Sequence, residues 1–125
     1  MQVHGRMQCE MWATWSEGSP YPYGMRVCVY CSSSPTIHGK YLDLATELGS
    51  AIGDRQWELV SGGGHISMMG AVARGVRANG GRTIGVIPQS LVDIEFADND
   101  NHELHVVDSM RERKAMMEEM SAASP

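Results

Sequence analysis

Three consecutive glycines are the residues of this sequence best suited to binding a small anion. Gly62, Gly63 and Gly64 follow a short apolar run and precede a helical pattern. Residues without a Cβ let the backbone approach an oxyanion and direct several N–H groups at it, so a phosphate loop is predicted; the alternative is a tight strand-to-helix turn. The run matches neither a Walker loop nor a dinucleotide-binding fingerprint, and we therefore expect neither ATP nor NAD.

A basic pair, Arg113 and Lys114, lies early in the last predicted helix. Positive charge is disfavoured near a helix N-terminus unless an anion lies nearby, so the pair is a candidate for binding a phosphate. The alternative is a solvated pair beside a methionine-rich core stripe. His65, next to the glycines, could contact a ligand or only hold the turn.

The cysteines do not suggest a metal site or a disulfide framework. Cys28 and Cys31 have C-x-x-C spacing, but side chains three positions apart on a strand face opposite sides, so we expect Cys28 in the core and Cys31 in a turn. Adding His4 and Cys9 as further ligands matches no common zinc pattern, and we expect no metal.

Strand-like and helix-like segments alternate along the chain, which predicts an α/β domain with a parallel sheet. Strands are predicted at 25–30, 57–61, 82–87 and 102–107, with a long polar loop at 89–101. Helices are predicted at about 41–52, with Gly53 as its C-cap, at about 66–78, and from Ser109, where Ser109 and Glu112 have capping-box spacing.

Residues 1–24 show no period of 2 or 3.6, so we expect a poorly ordered extension there and a single partial domain over 25–125. A biological start at Met25 is a hypothesis that follows from this difference. A net charge of -5 and a pI near 5.4 argue against a nucleic-acid partner. The sequence has neither a membrane-spanning apolar run nor a signal peptide, so we expect a cytoplasmic protein.

Ligands of open parallel sheets bind beyond the carboxyl ends of the strands. The residues expected there come from four strand exits, which should converge on one edge. They are Cys31 with Ser32 and Ser33, the glycines 62–64, Pro88 with the acidic loop, and Ser109 to Lys114.

Four motifs at these exits resemble those of the Lonely Guy family, also labelled lysine decarboxylase-like. The family carries C-x-S-S, V-x-G-G-G-x-x-x-x-M-G, G-V-I-P and M-x-x-R-K-x-x-M in this order. Here they stand at Cys31–Ser34, Val60–Gly70, Gly85–Pro88 and Met110–Met117. The similarity is continuous from Met25 to about Met120.

The resemblance implies a Rossmann-like sheet, a homodimer if the full domain is present, and no cofactor. It also implies hydrolysis of the N-glycosidic bond of a nucleoside 5'-monophosphate, either AMP or a cytokinin riboside 5'-monophosphate. Ser32, Ser33 and Gly62 to Gly64 would belong to the nucleotide site, and Glu95 would contact the base. Arg113 and Lys114 would bind the ribose phosphate, with Arg113 also the catalytic arginine.

The family's next motif, P-G-G-x-G-T-x-x-E, which supplies its catalytic glutamate, has no match here. We therefore expect the C-terminal part of the fold to be missing and the chain as written to be inactive on AMP. A nucleotide-binding module without chemistry and a fragment that does not fold alone are the alternatives. A pyridoxal phosphate enzyme is not expected, since neither Lys40 nor Lys114 lies in a sequence typical of a buried Schiff-base lysine.

Overall fold

The structure of the protein is a computed structural model that describes residues 2–8, 11–17, 25–31 and 39–121. It contains six strands, three α-helices and one short 3₁₀ turn in these residues. The strands are β1 (Gln2–Gln8), β2 (Met11–Glu17), β3 (Met25–Cys31), β4 (Glu58–Ser61), β5 (Arg82–Pro88) and β6 (Glu103–Val107). The helices are α1 (Gly39–Asp54), α2 (Ser67–Ala78) and α3 (Met110–Ser121), and the 3₁₀ turn is Gln89–Leu91.

All six strands form one sheet in the order β1-β2-β3-β4-β5-β6. Strands β3 to β6 are parallel, which confirms the predicted parallel sheet. Val27 pairs with Leu59, and Leu59 pairs with Thr83, so the first three parallel strands are closely in register. The carboxyl ends of the four parallel strands therefore lie at one edge of the sheet, where the predicted site residues were expected.

The structure differs from the sequence prediction at residues 2–17, where no regular element was expected. Strand β1 pairs antiparallel with β2, and β2 pairs antiparallel with the edge of β3. Antiparallel pairing satisfies backbone N–H and C=O groups without requiring an alternating side-chain pattern, so a period search does not detect it. These two strands therefore lie where the sequence shows no period of 2 or 3.6.

The helices cover both faces of the parallel sheet because successive strand residues point to opposite sides. Val27 and Val29 belong to a buried cluster with the apolar residues of α1 and α2. Cys28, between them, lies in a second cluster with Met117 of α3, which confirms its predicted place in the core. The buried parts of α1 and α2 thus lie on one face and those of α3 on the other.

Helices α1 and α2 approach closely through glycines. A Cβ added to Gly49 would lie 2.2 Å from the carbonyl oxygen of Val72, and one added to Gly53 would lie 2.5 Å from the carbonyl oxygen of Val76. Gly53 was predicted to be the C-cap of α1, but it lies inside the helix, which ends at Asp54. Its lack of a side chain serves packing, and the left-handed residue after the helix is Gln56, with φ of 54°.

Helix α3 begins where the capping-box spacing predicted. The hydroxyl of Ser109 accepts a hydrogen bond from the Glu112 backbone N–H at 3.1 Å. The Glu112 carboxylate accepts one from the Asp108 N–H at 3.1 Å, one residue upstream of the usual capping-box partner. This start fixes the direction of the helix that carries Arg113 and Lys114. None of the helices in the described part of the chain has the length and apolar character that a membrane crossing needs.

Candidate functional site

Three groups that are far apart in the sequence meet at the carboxyl edge of the parallel sheet. They are the glycine loop after β4 (Gly62 to Gly64), Glu95 in the segment between β5 and β6, and Arg113 in α3. The guanidinium of Arg113 donates through Nη2 both to the carbonyl oxygen of Gly62 and to Glu95 Oε1, the latter at 2.7 Å. The convergence predicted from the strand exits is therefore present for these residues.

Arg113 is held firmly, although it lies near the start of a helix. Its residue exposure is only 7%, and its Nε donates to the carbonyl oxygen of Val86 in β5 at 2.9 Å. The remaining nitrogen, Nη1, contacts the sulfur of Met110 at 3.8 Å. Of the three guanidinium nitrogens of Arg113, Nε and Nη2 thus donate to oxygen acceptors, whereas Nη1 contacts only this sulfur among the described residues. A thioether is a weak acceptor, which leaves this nitrogen available to a stronger one.

The Glu95–Arg113 ion pair is buried on both sides. The side chains are 10% and 9% exposed, respectively. Removing two charges from water is costly, and it is offset only when the charges pair closely and their other hydrogen-bonding groups are satisfied. The two carbonyl acceptors of Arg113 provide this second condition. Because a buried charge without its partner costs about 3–5 kcal/mol, each side chain holds the other in place.

The glycines of the loop are required by close approaches of the protein to itself. A Cβ on Gly62 would lie 2.6 Å from Arg113 Nη2, and one on Gly64 would lie 3.1 Å from the carbonyl oxygen of Glu95. Gly63 has φ of 79°, a left-handed conformation that side chains rarely adopt. The turn alternative therefore accounts for all three glycines, and a phosphate-binding role for the loop stays a prediction.

His65 takes part in the turn through its backbone. Its N–H lies 3.0 Å from the carbonyl oxygen of Glu95 and 2.7 Å from that of Phe96. Its side chain is half exposed, and Nδ1 lies 3.8 Å from a carboxylate oxygen of Asp98. Of the two alternatives from the sequence, holding the turn is the one that these contacts support.

A cavity of about 550 Å³ adjoins this cluster between β3 and α3. Its lining combines apolar side chains with the basic residues of α3. The lining residues are Val29, Tyr30, Gly62, Met69, Met110, Arg111, Arg113, Lys114 and Met117. Burial raises the pKa of Tyr30, whose phenol is protonated at neutral pH in any case and can donate a hydrogen bond. A mostly apolar cavity with a few cations and one donor suits a ligand that has a flat ring and an anionic group.

Comparison with known proteins identifies relatives with similar sequences. The family described as "Possible lysine decarboxylase" matches residues 69–124. The cytokinin riboside 5'-monophosphate phosphoribohydrolase of Mycobacterium tuberculosis is 58% identical over 97 residues, covering 78% of this chain and 51% of the relative. The enzyme of the same name from Mycobacterium marinum is 50% identical over 105 residues, covering 84% of this chain and 56% of the relative. This chain belongs to the Lonely Guy family.

More distant members of the Lonely Guy family also match. The cytokinin riboside 5'-monophosphate phosphoribohydrolase LOG of Oryza sativa subsp. japonica is 44% identical over 92 residues, covering 74% of this chain and 38% of the relative. The chain spans about half the length of its mycobacterial relatives. A solved structure of a Moco carrier protein from Chlamydomonas reinhardtii superposes with a TM-score of 0.55 at 23% identity, over 70% of this chain and 49% of that one. This likeness supports the α/β fold alone.

The residues predicted from the Lonely Guy resemblance differ in where the structure places them. Gly62, Arg113 and Lys114 line the cavity, whereas Glu95 reaches it through its ion pair with Arg113. Ser32 and Ser33 lie outside the described residues. Sequence reasoning did not single out Tyr30 as a site residue, and only its position near the end of β3 could have indicated it.

Two further contacts were missed in the Lonely Guy site. Met69, which lines the cavity, places its sulfur 3.0 Å from the N–H of Gly64. Its place at the methionine of the family's glycine motif was the available signal. The Val86 carbonyl that holds Arg113 has no such signal, because every residue type presents the same carbonyl group.

Proposed function

We propose that this chain contributes the nucleotide-binding part of the active site of a phosphoribohydrolase. Such an enzyme hydrolyses the N-glycosidic bond of a nucleoside 5'-monophosphate. The observation that carries the proposal is the buried Arg113, held at the cavity wall by Gly62, Val86 and Glu95. Such a fixed guanidinium presents its donors in a defined direction without reorganising when charge develops. The names of the relatives support a cytokinin riboside 5'-monophosphate as the substrate, and AMP is the other nucleotide that the Lonely Guy resemblance implies.

In the reaction, the bond between C1' of the ribose and a ring nitrogen of the base breaks, and its electron pair goes to the base. Water supplies hydroxyl to C1' and a proton to the base, giving free base and ribose 5-phosphate. Positive charge develops on the ribose and negative charge on the leaving base, as expected for an oxocarbenium-like transition state. The balanced equation needs water alone, so we expect no cofactor.

The basic residues of α3 are assigned to the anionic end of the substrate. Lys114 is an exposed point charge at the cavity, suited to a phosphate oxygen, and Arg113 Nη1 is the guanidinium nitrogen available there. Both cations lie near the start of α3, where the helix dipole also favours an anion. Arg113 takes the catalytic role that the resemblance gives it.

Glu95 is assigned to the base, and Tyr30, which lines the cavity, is assigned as a further donor. The Glu95 carboxylate is oriented by its ion pair with Arg113, which lines the cavity. The apolar wall formed by Val29, Met69 and Met117 suits a flat adenine-type ring. Ser32, Ser33 and the glycines 62–64 complete the proposed nucleotide site.

A decarboxylase activity, which the family's description as a possible lysine decarboxylase suggests, is not supported by the lysines. A pyridoxal phosphate enzyme needs a lysine whose pKa is lowered by burial so that it can form a Schiff base. The sequence contains only Lys40 and Lys114, and both side chains are exposed. Lys40 lies in the first turn of α1, 5.1 Å from the ring centre of Tyr41.

The proposal is tested by calorimetry, which measures AMP binding to the 125-residue chain, and by a turnover assay on a fusion protein. The fusion joins this chain to the part of the M. tuberculosis relative beyond the matched residues, because the match covers 51% of that relative. We expect AMP binding by the chain, and adenine and ribose 5-phosphate in equal amounts from the fusion. Arg113→Ala should lower kcat/KM by at least 100-fold, in line with the loss of one fixed electrostatic donor.

Lys114→Ala should mainly raise KM, because a phosphate contact far from the reacting bond contributes to binding in ground and transition states alike. Lys40→Ala, at the other lysine, is the matched control and should leave both constants unchanged. A folded fusion that binds AMP but releases no adenine would show that the activity proposal is wrong. Equal loss from Lys40→Ala and Lys114→Ala would contradict the assignment of the phosphate site.

We further infer that the protein forms a homodimer and works in the cytoplasm, without a nucleic-acid or membrane partner. The acidic net charge of -5 supports the absence of a polyanion partner. Light scattering after size exclusion tests the dimer, and a mass of one chain at micromolar concentration would contradict it.

A further inference from the structure

A second buried carboxylate, Asp98, lies three residues after Glu95 in the segment between β5 and β6. Its side chain is 1% exposed, and both of its oxygens are hydrogen-bonded. Oδ2 accepts from Arg77 Nη2 at 2.9 Å, and Oδ1 accepts from the N–H of Asp100 at 3.1 Å. Asp98 is not part of the cavity lining, so the proposed chemistry does not use it directly.

Arg77 connects Asp98 to two other elements. It extends from the last turn of α2 and donates through Nη1 to Thr83 Oγ1 of β5 at 3.3 Å and to Asn101 Oδ1 at 3.2 Å. Asn101 in turn donates to the carbonyl oxygen of Asp98 at 3.0 Å. One arginine therefore ties both ends of the segment from Asp98 to Asn101 to the helix that follows the glycine loop.

The same segment contacts the glycine loop directly. The N–H of Asp98 donates to the carbonyl oxygen of Gly63 at 2.8 Å, and Ala97 forms a bridge with Gly64. Residues 95–98 therefore run beside the loop, with Glu95 at one end of this contact and Asp98 at the other. A displacement of Asp98 would be transmitted to both the loop and Glu95.

The backbone between the two carboxylates is strained, which makes an anchor necessary. Phe96 has φ of 51°, a conformation that costs a non-glycine residue on the order of 1 kcal/mol or more. Its own side chain is 59% exposed and contributes little packing to offset that cost. Buried interactions on both sides, those of Glu95 and of Asp98, are what hold this turn.

We propose that Asp98, together with Arg77, is a positioning pair that sets the place of Glu95 and the glycine loop relative to Arg113. The pair acts through the contacts from Asp98 to Gly63 and from Ala97 to Gly64, and it touches no substrate. Its effect on nucleotide binding rests on the proposed function, whereas its effect on the loop does not.

The test compares Asp98→Asn and Arg77→Lys with Glu58→Gln. Glu58 is an equally buried carboxylate, 2% exposed and bound by two arginines at the other end of the sheet. The first measurement is amide hydrogen exchange, expressed as the rate at His65 divided by that at Val72 in the middle of α2. This ratio removes global unfolding, which raises both rates together.

Asp98→Asn should raise the exchange ratio about tenfold and raise the dissociation constant for AMP by a similar factor. Arg77→Lys keeps the positive charge beside Asp98, so both the exchange ratio and the dissociation constant for AMP should stay closer to the wild-type values than in Asp98→Asn. Glu58→Gln should lower the melting temperature but change neither the ratio nor the dissociation constant. An unchanged ratio in Asp98→Asn, or an equal rise in Glu58→Gln, would overturn the positioning role.

The two proposals are separable. If the wild-type chain does not bind AMP, the nucleotide assignment fails while the exchange ratio still decides the positioning role. If Asp98→Asn does not fold, Arg77→Gln is measured in its place, since it leaves Asp98 with the Asp100 N–H. A tenfold rise in the ratio for that variant supports the proposal, and no rise overturns it.

Discussion

The two ends of the parallel sheet both contain a buried carboxylate paired with arginine, but the arginines differ in what else they contact. At the amino end, Glu58 at the start of β4 is bound by Arg26 of β3 and by Arg82 of β5. Arg82 also reaches Glu103 of β6 at 2.8 Å. Arg26, Glu58 and Arg82 are direct neighbours in the strand register.

At the carboxyl end, Arg113 comes from a helix, Glu95 comes from a loop, and two of the acceptors are backbone carbonyls. At the amino end, the row of ion pairs formed by Arg26, Glu58, Arg82 and Glu103 is called the ladder here. It follows from the pairing of neighbouring strands and fixes the register of four strands. The carboxyl-end cluster depends on loop conformation and leaves one guanidinium nitrogen beside a cavity. The same kind of ion pair therefore stabilises the fold at one end and orients a binding group at the other.

The largest expected effect comes from removing one buried charge at each end. Arg113→Met removes the charge partner of the buried Glu95 carboxylate and should lower the free energy of unfolding by about 3–5 kcal/mol. Glu58→Gln should lower it by less, because the arginines that bind Glu58 are 20% and 34% exposed and Arg82 still pairs with Glu103. Only Arg113→Met should also abolish AMP binding. Urea unfolding and calorimetry measure the two quantities. If Glu58→Gln weakened AMP binding as strongly, the division between a stabilising end and a binding end would be wrong.

A smaller effect is expected at Gly62, where the glycine loop meets Arg113. Gly62→Ala places a Cβ 2.6 Å from Arg113 Nη2, so the guanidinium must shift. Overpacking of this kind costs about 1–3 kcal/mol, and AMP affinity should fall with it. Gly39→Ala, at the start of α1 where a Cβ meets nothing within 4 Å, is the control and should be neutral or stabilising. Equal thermal shifts in the two variants would contradict this account of the loop.

The two ends also differ in how far the sequence predicts them. The parallel strands and α3 were predicted to within two residues at each strand boundary, because periodicity and capping residues are local signals. The segment at 89–101 contains four acidic residues, and composition cannot tell which of them are buried in the fold. In the structure Glu95 and Asp98 are buried, whereas Asp93 and Asp100 are exposed, and that division depends on the loop conformation.

The Asp98–Arg77 pair and the carbonyls that hold Arg113 had no residue pattern to predict them. Glu95 could be selected only through the family resemblance. The strands β1 and β2 were missed for a related reason, since backbone pairing to an open strand edge does not need a repeating side-chain pattern. What the sequence leaves open is thus mainly what backbone carbonyls and N–H groups determine.

A pH effect should distinguish the amino end further. His102, just before β6, accepts a hydrogen bond at Nδ1 from the N–H of Thr83 at 3.0 Å, which requires a neutral ring. Burial, followed by the charges of Arg82 and Arg77, lowers the pKa of His102 below its ordinary value of 6.5. Since the unfolded chain then binds a proton more readily, this stabilisation is complete above about pH 6.5 and is lost as the pH falls through the folded pKa.

His102→Asn keeps an acceptor near the position of Nδ1 but does not titrate. Its free energy of unfolding should therefore change less than that of the wild type between pH 7 and pH 5, as measured by urea unfolding at both values. His105→Asn is the matched control, because His105 contacts Glu103 at 3.2 Å and gives no acceptor to the Thr83 N–H. An identical pH dependence in wild type and His102→Asn would contradict the assigned role.

The smallest expected effect concerns Glu103, at the exposed end of the ladder. The hydrogen bond from Arg82 lowers the pKa of Glu103, so its contribution is present above the ordinary carboxyl pKa and is lost as the pH falls through the lowered value. The side chain is 42% exposed, and solvent and salt screen the pair. Glu103→Gln should therefore cost less than about 1 kcal/mol at neutral pH, well below Glu58→Gln, and less again in 1 M salt. If the two substitutions proved equally costly, burial would not be what gives the inner part of the ladder its strength, and the same argument for the Glu95–Arg113 pair at the other end would weaken with it.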